Sequence, residues 1–292
     1  FVGIATIINV GLDIILVGPL GMGTEGAAYA TITAQGISFV ISIFYLKRHH
    51  VFFGTTVCKK LTVQWDKIVA ILKIGLPTAI QMVVVNTAYL LVTGMLNQFG
   101  TSVSAASGVG LQINTFAGMP CWAVGQAVTA MVGQCMGAEQ IKRARKVVKI
   151  GLLVNIAMTL VVVLCVQVFA EQLILLFGSN SREVVTDGVY YLRVCCGVNS
   201  LIYAAMYTLD SFAIGVGAAN VAMLNALLDA VVVRLPVSWI LAFTLGMGFP
   251  GIYFGQALSP ILPAFVGFIY FKSGIWERKS LIQKNRKEGN PE

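Results

Sequence analysis

Residues 74–138 read IGLPTAIQMVVVNTAYLLVTGMLNQFGTSVSAASGVGLQINTFAGMPCWAVGQAVTAMVGQCMGA, 65 positions without one charged side chain. A helix rises about 1.5 Å per residue and the bilayer's hydrocarbon core is about 30 Å thick, so about 20 apolar residues cross it once. A run this long is two crossings. It divides where small and polar residues cluster, at Asn97-Gln98-Phe99-Gly100-Thr101-Ser102. Lipid offers no hydrogen bonds to a bare backbone, so both crossings must be helices.

The same reading extends outward. Residues 235–271 form a second charge-free run of 37, divided at Gly246-Met247-Gly248-Phe249-Pro250-Gly251, and residues 26–46 and 150–170 are charge-free stretches of 21 each. With residues 1–18, 187–213 and 220–245 the count reaches eight spans, and the expected fold is an all-α integral membrane protein. Composition agrees. Of 292 residues 57% are hydrophobic and 11% charged, at a mean hydropathy of +0.83, whereas a soluble domain carries about 25% charged residues. An ordinary soluble enzyme is excluded.

Basic residues orient the spans. Lys47, Arg48, Lys59, Lys60, Lys67 and Lys73 surround the second and third. Lys142, Arg143, Arg145, Lys146 and Lys149 separate the fourth and fifth, and Lys272, Arg278, Lys279, Lys284, Arg286 and Lys287 follow the eighth. Eight crossings put all three groups on one side, which collects 17 of the 20 cationic side chains. The positive-inside rule makes that side cytoplasmic, so the C-terminus of this multi-pass plasma-membrane protein is expected there. The opposite side holds Glu25, Glu171, Glu183 and Asp187 with Arg182. The net charge of +8 is thus topogenic and faces anionic membrane lipid. Nucleic acid is not an expected partner, because no basic stripe is interleaved with exposed aromatics.

The chain repeats itself. Asn9-x-x-x-Asp13 recurs as Asn225-x-x-x-Asp229, 216 positions on, and Leu20-Gly21-Met22-Gly23-x-x-Gly26 recurs as Leu245-Gly246-Met247-Gly248-x-x-Gly251, 225 on. Tyr45-x-Lys47 returns as Tyr270-x-Lys272, and nine extra residues between acid and glycines reconcile the offsets. Spans one and two therefore copy spans seven and eight as parallel repeats, an arrangement common in secondary transporters. On this alignment about 150 residues, four spans, precede residue 1, and the chain is expected to be a fragment of a protein of about 440 residues with twelve spans.

Both glycine motifs have the spacing of a dinucleotide fingerprint. That fingerprint needs a strand before it and an acid about 20 residues on, and here the position twenty past Gly26 is Leu46. They read instead as turns in which glycine permits positive φ. The chain has no Gly-Lys dipeptide and hence no phosphate-binding loop. His49 and His50 are adjacent in a loop without metal-ligand spacing, and the six cysteines contain no C-x-x-C, so no metal and no cofactor is expected.

Ionisable residues inside spans carry the chemistry. An Asp at the bilayer centre costs about 2.5–3.5 kcal/mol to insert and normally turns inward. Asp229 lies about ten residues, ~15 Å, into its span, and Asn225 sits one turn before it on the same face. Asp13 and Asn9 repeat the pair. A carboxylate beside a carboxamide can take a proton or coordinate Na⁺ through hard oxygens; it can equally tie helices together. Arg234 is a poor partner for Asp229, since five residues place it about 140° around an α-helix. Asp210 is expected near the cytoplasmic end of the sixth span, within reach of water. Gln81, Asn86, Gln112, Asn114, Gln126, Asn199, Tyr203 and Tyr207 punctuate the spans as candidate cavity wall, with Met82, Phe116 and Met119 as its apolar part.

At this point the chain resembles the multidrug and toxic compound extrusion (MATE) transporters. The likeness rests on Val132-Gly133-Gln134-x-x-Gly137-Ala138 followed by Arg143-Ala144. Lys73-Ile74-Gly75-Leu76-Pro77, Asn9-x-x-Leu12-Asp13 with Gly26-Ala27-Ala28, and Arg234-x-Pro236 add to it. The resemblance implies twelve helices in two lobes. Residues 1–47 would be the last two helices of the N-lobe, 48–66 a cytoplasmic linker, 67–272 a six-helix C-lobe and 273–292 a basic tail. It also implies a monomeric antiporter, not an enzyme, that exports cationic or amphipathic small molecules by alternating access in exchange for H⁺ or Na⁺. Several members carry a carboxylate on the first helix of the second lobe, where this chain has Gln81 and Asn86. A lipid-linked oligosaccharide flippase would need a cationic cavity, yet only Arg193 and Arg234 fall inside spans. A membrane-embedded enzyme would need a His/Asp or metal constellation at depth.

The topology is testable. A fluorescent protein fused after Glu292 should fold and fluoresce in intact bacteria, whereas a periplasmic alkaline phosphatase in its place should be inactive; active phosphatase there would reverse the orientation.

Overall fold

Asn97–Gly100 is where the long apolar run turns back on itself. In the computed structural model, which describes residues 2–49, 65–177, 181–197 and 199–277, a single 3₁₀ turn at Asn97–Phe99 and Gly100 at φ 107° separate two long helices. Every described element is a helix. In order these are α1 (Val2–Val17), α2 (Gly23–His49), α3 (Trp65–Leu96), α4 (Thr101–Gly137), α5 (Ile141–Val168), α6 (Ala170–Leu176), α7 (Arg182–Cys195) and α8 (Asn199–Gly215). A composite rod, Ala219–Thr244, follows: α9 (Ala219–Leu227), a π segment (Leu228–Arg234), α10 (Leu235–Trp239) and a second π segment (Ile240–Thr244). The last two helices are α11 (Phe249–Leu258) and α12 (Ile261–Ser273).

The chain divides into two compact units, residues 1–65 and 66–292. Most of the expected linker, with Cys58, Lys59 and Lys60, lies outside the described residues, as does the basic tail from Arg278 onward. The first unit is the α1–α2 hairpin. Among the described residues five helical stretches are long and apolar enough to cross a membrane: Gly23–Tyr45, Ile68–Phe99, Ile141–Val168, Ala219–Thr244 and Phe249–Ser273. α7 and α8, bent by 51° across their break, make a sixth if taken as one span. An eightfold count additionally needs α1, which has 16 residues, and α4, whose 37 charge-free residues are diluted with Ser, Thr, Gly and Gln.

In the second unit the apolar core has two centres. At one end Val128, Val132 and Cys135 of α4 meet Ala144 and Val148 of α5, Phe212 of α8 and the fully buried Trp276. Trp276 stands edge-on to Phe212 with ring centroids 5.0 Å apart and donates its indole N–H to the Phe271 carbonyl at 3.0 Å. An ion pair between Arg145 and Glu277 closes the same end. At the other end Val92 and Leu96 of α3, Ile113 of α4, Tyr191 and Leu192 of α7, and Ile252 and Tyr253 of α11 pack together. Tyr191 fits because Gly110 has no side chain; a Cβ there would run into its ring.

The sequence repeat is a structural repeat. In the first turn Leu20 N–H bonds Ile15 O at 3.3 Å and Met22 N–H bonds Leu16 O at 3.0 Å; in the second, Leu245 bonds Ile240 at 2.9 Å and Met247 bonds Leu241 at 3.1 Å, each atom 225 positions on. Gly21, Gly23, Gly246 and Gly248 all have φ between 56° and 68°, the left-handed region that disfavours a Cβ. Behind each turn runs a buried small-residue stripe at four-residue spacing, Gly26, Ala30 and Ala34 in α2 and Gly251, Gly255 and Ser259 in α11 to its end. Such stripes let helix backbones approach closely. A Cβ on Gly251 would stand 2.6 Å from the Leu241 carbonyl carbon and 2.7 Å from the Ala242 nitrogen. The nine extra residues of the second copy fall in the stretch where the rod alternates between π and α winding, Leu228–Thr244.

Gly251→Ala should therefore cost about 1–3 kcal/mol, as overpacking does, and lower the thermal unfolding midpoint in detergent. Ala27→Gly, at a partly buried position beside the first stripe, should move it far less.

Candidate functional site

The rod Ala219–Thr244 brings the acids inward. Pro236 has no N–H to give the carbonyl of Val232, and its ring crowds that carbonyl; Val231, Val232 and Val233 add β-branched crowding. The chain responds with wider turns, in which the Leu235 N–H reaches back five residues to Ala230 O. Winding of this kind stacks residue i+5 over residue i. Arg234 Nη2 consequently donates to Asp229 Oδ2 at 2.7 Å, with both side chains about 5% exposed. The expectation that Arg234 is badly placed for Asp229 assumed an α-helix, and the π turn corrects it.

Asn225 does not turn to Asp229. Its Nδ2 donates to Asp210 Oδ1 on α8 at 2.6 Å, so the two acids have separate partners. Asp210 is 3% exposed, with α9 and α12 packed against α8. Asn225 Oδ1, Asp229 Oδ1 and Arg234 Nε are buried without a hydrogen-bond partner. In the first unit Asn9 Nδ2 lies 3.4 Å from Thr31 Oγ1 as donor, and Asp13 Oδ1 is buried without a hydrogen-bond partner.

Asp210, Asp229 and Arg234 line a cavity of about 770 Å³ inside the second unit. One stripe of α3 faces it, Thr78, Gln81, Met82, Val85, Asn86 and Tyr89, at the three- and four-residue spacing of a helix face. Opposite stand Asn114, Gly118, Cys121, Trp122 and Gln126 of α4, with Asn199, Tyr203 and Tyr207 of α8. Gln112 is exposed and is not part of the lining, being two residues and about 200° from Asn114; Phe116 and Met119 are likewise half exposed and outside it. Trp122 was not anticipated, although it continues the α4 stripe four residues before Gln126. Its indole N–H donates to Tyr203 OH at 3.3 Å, and Tyr203 stacks on Tyr207 with centroids 6.1 Å apart. Gly125 leaves room for the Tyr207 ring. Asn114 Oδ1 accepts from Cys196 Sγ at 3.1 Å, Asn199 Nδ2 donates to Cys195 O at 3.0 Å and Asn86 Nδ2 to Met82 O at 2.8 Å. Arg193 is exposed.

Chemically the cavity combines aromatic walls, neutral hydrogen-bonding groups, one carboxylate held by a carboxamide and one neutralised by an arginine. A profile of the MatE family matches residues 77–240. The chain belongs to the MatE family. It is 28% identical over 283 residues to the probable multidrug resistance protein YpnP of Bacillus subtilis, covering 97% of this chain and 62% of that protein. To the probable multidrug resistance protein NorM of Thermotoga maritima it is 24% identical, covering 97% of this chain and 61% of that one. Its fold superimposes on the Vibrio cholerae MATE transporter VcmN in its bent form with a TM-score of 0.81 at 22% identity, covering 96% of this chain and 62% of that chain. The chain thus spans about three-fifths of the length of these MatE relatives, and with its long apolar helices it is a multi-pass membrane protein.

In a background without native cysteines, Asn86→Cys and Gln126→Cys should react with a small water-soluble thiol reagent in membranes, and Gln112→Cys at least about tenfold more slowly, because only a hydrated thiol ionises. Equal rates would remove the cavity as a water-filled space.

Proposed function

We propose that this chain forms part of a secondary active exporter that carries cationic or amphipathic small molecules out of the cell by alternating access, in exchange for H⁺ or Na⁺. The observation that carries the reading is the cavity itself: about 770 Å³ of space in a membrane bundle, with Asp210 and Asp229 set among Tyr89, Trp122, Tyr203 and Tyr207. A volume of that size suits a drug-sized molecule. Aromatic faces attract organic cations, and a carboxylate supplies the opposite charge. The names of the relatives, multidrug resistance proteins, support the same direction.

In this reading the chain works as a monomeric transporter and not as an enzyme. α1 and α4 count as spans, giving eight with the α7–α8 pair as one, and the basic ends of α5 and α12 face the cytoplasm. Asp210 is the leading coupling acid. Its carboxylate keeps an oxygen beyond the Asn225 bond for a proton or Na⁺, while Asp229 is already paired. Asn225 positions Asp210, and Asp13 with Asn9 is a second candidate pair in the other half. The flippase reading finds little support in a cavity whose lining arginine is matched by an aspartate.

Vesicles carrying the complete gene product should move ethidium against its gradient when a Na⁺ or H⁺ gradient is imposed, and stop when that gradient is collapsed. Asp210→Asn should reduce the flux at least about tenfold, because intramembrane carboxylates of this kind mark ion and proton pathways. Flux indifferent to both gradients would sink the proposal.

A further inference from the structure

We propose that Arg234 is a built-in counter-cation that sets the cavity's affinity for a positively charged ligand by neutralising one of its two carboxylates. The inference rests on the cation-binding reading above and adds to it the residue that tunes it. Among the described residues lining the cavity the acids are Asp210 and Asp229 and the only base is Arg234. With all three ionised, the site presents one unopposed negative charge instead of two. Each unit charge weighs heavily where the surroundings screen weakly.

The guanidinium sits as an organic cation would sit. Its Nη2 meets the Asp229 carboxylate at 2.7 Å, and its central carbon lies 4.5 Å from the centroid of the Tyr89 ring. A carboxylate on one side and an aromatic face on the other is what a soluble aromatic or quaternary cation would seek in this cavity. Arg234 fills that seat from within the chain. It does so only because of the π segment Leu228–Arg234, since α winding would carry it about 140° away from Asp229.

The arrangement is also incompletely satisfied, which a purely structural ion pair would avoid. Asp229 Oδ1, Asn225 Oδ1 and Arg234 Nε are all buried and unpartnered, on residues 1–4% exposed. Leaving such groups unpaired is unfavourable. Two of the three are acceptor oxygens, so unmet capacity for a positive ligand remains beside the pair.

The test measures binding of tetraphenylphosphonium to the complete gene product in nanodiscs, with neutral triphenylphosphine oxide as the size-matched control. Arg234→Met should tighten phosphonium binding by about tenfold or more, and Arg234→Lys, which keeps the charge but loses the flat guanidinium over Tyr89, should tighten it less than Arg234→Met does. Asp229→Asn should weaken binding by about tenfold or more, because it leaves an unopposed arginine. Adding Arg234→Met to Asp229→Asn should restore it to within about threefold, since the pair then leaves together. The neutral probe should change little across the series. Unchanged or weaker phosphonium binding in Arg234→Met overturns the proposal. If that variant does not fold, failure of the double variant to recover what Asp229→Asn loses overturns it equally. No phosphonium binding by the unaltered protein or any variant would reject the cation-binding reading and this inference together, whereas normal binding that ignores residue 234 rejects only the inference.

Discussion

A carboxylate and a guanidinium five residues apart face each other within a helix, and much of the second unit's interior depends on that contact. Charged side chains in a membrane bundle need partners, because neither lipid nor packed side chains solvate them. The Asp229–Arg234 pair meets this need inside one helix, with the Tyr89 ring of α3 against the guanidinium. Asn225 is thereby left for Asp210, and the two acids become chemically unlike although they line one cavity. The origin of the contact is a proline. Pro236 denies the preceding turn a donor, the helix widens, and the widened turn stacks residue 234 over residue 229.

Around this interior aromatic and aliphatic side chains pack in two clusters, with the cavity as a separate space. Trp276 packs in one against Phe212, Val132 and Val148, while Tyr191, Tyr253 and Ile252 fill the other. Between them Asn155 is wholly buried and donates to Thr208 Oγ1 at 2.8 Å, joining α5 to α8 on the side away from α3. Small residues decide where helices touch. Gly251 and Gly255 let α11 press against the rod at Leu241 and Ser238, and the same spacing in Gly26 and Ala30 serves the first hairpin. Two copies of one turn, 225 residues apart, share two backbone hydrogen bonds atom for atom, since the turn needs two glycines at positive φ and a small residue just beyond.

How much of the site was legible depended on which rule each residue obeyed. Gln81, Asn86, Asn114, Gln126, Asn199, Tyr203 and Tyr207 are polar groups in apolar helices, and all border the cavity. Gln112 obeys the same compositional rule and does not, because composition says that a residue is polar but not which way its helix is turned. Trp122 could have been found by following the four-residue stripe from Asn114 through Gly118 to Gln126. The Arg234 contact could not be reached by helical arithmetic, which assumes 3.6 residues per turn. The bond from Asn225 to Asp210 was equally out of reach, because a span read in isolation does not reveal that α9 packs against α8.

The amino-acid order alone determined that this is a helical membrane protein, that one part of it copies another and that its motifs resemble MATE transporters. These follow from local quantities: a backbone in lipid must satisfy itself, apolar length sets the crossing, and a turn of given shape demands glycine at given positions. Tertiary structure alone decided which polar residues share a cavity, that the two acids have different partners, and that Arg234 lies between Asp229 and the Tyr89 ring. Those depend on helix rotation and on a local change of winding. Both are set by side chains from several distant segments packing at once, and no single stretch of sequence contains that sum.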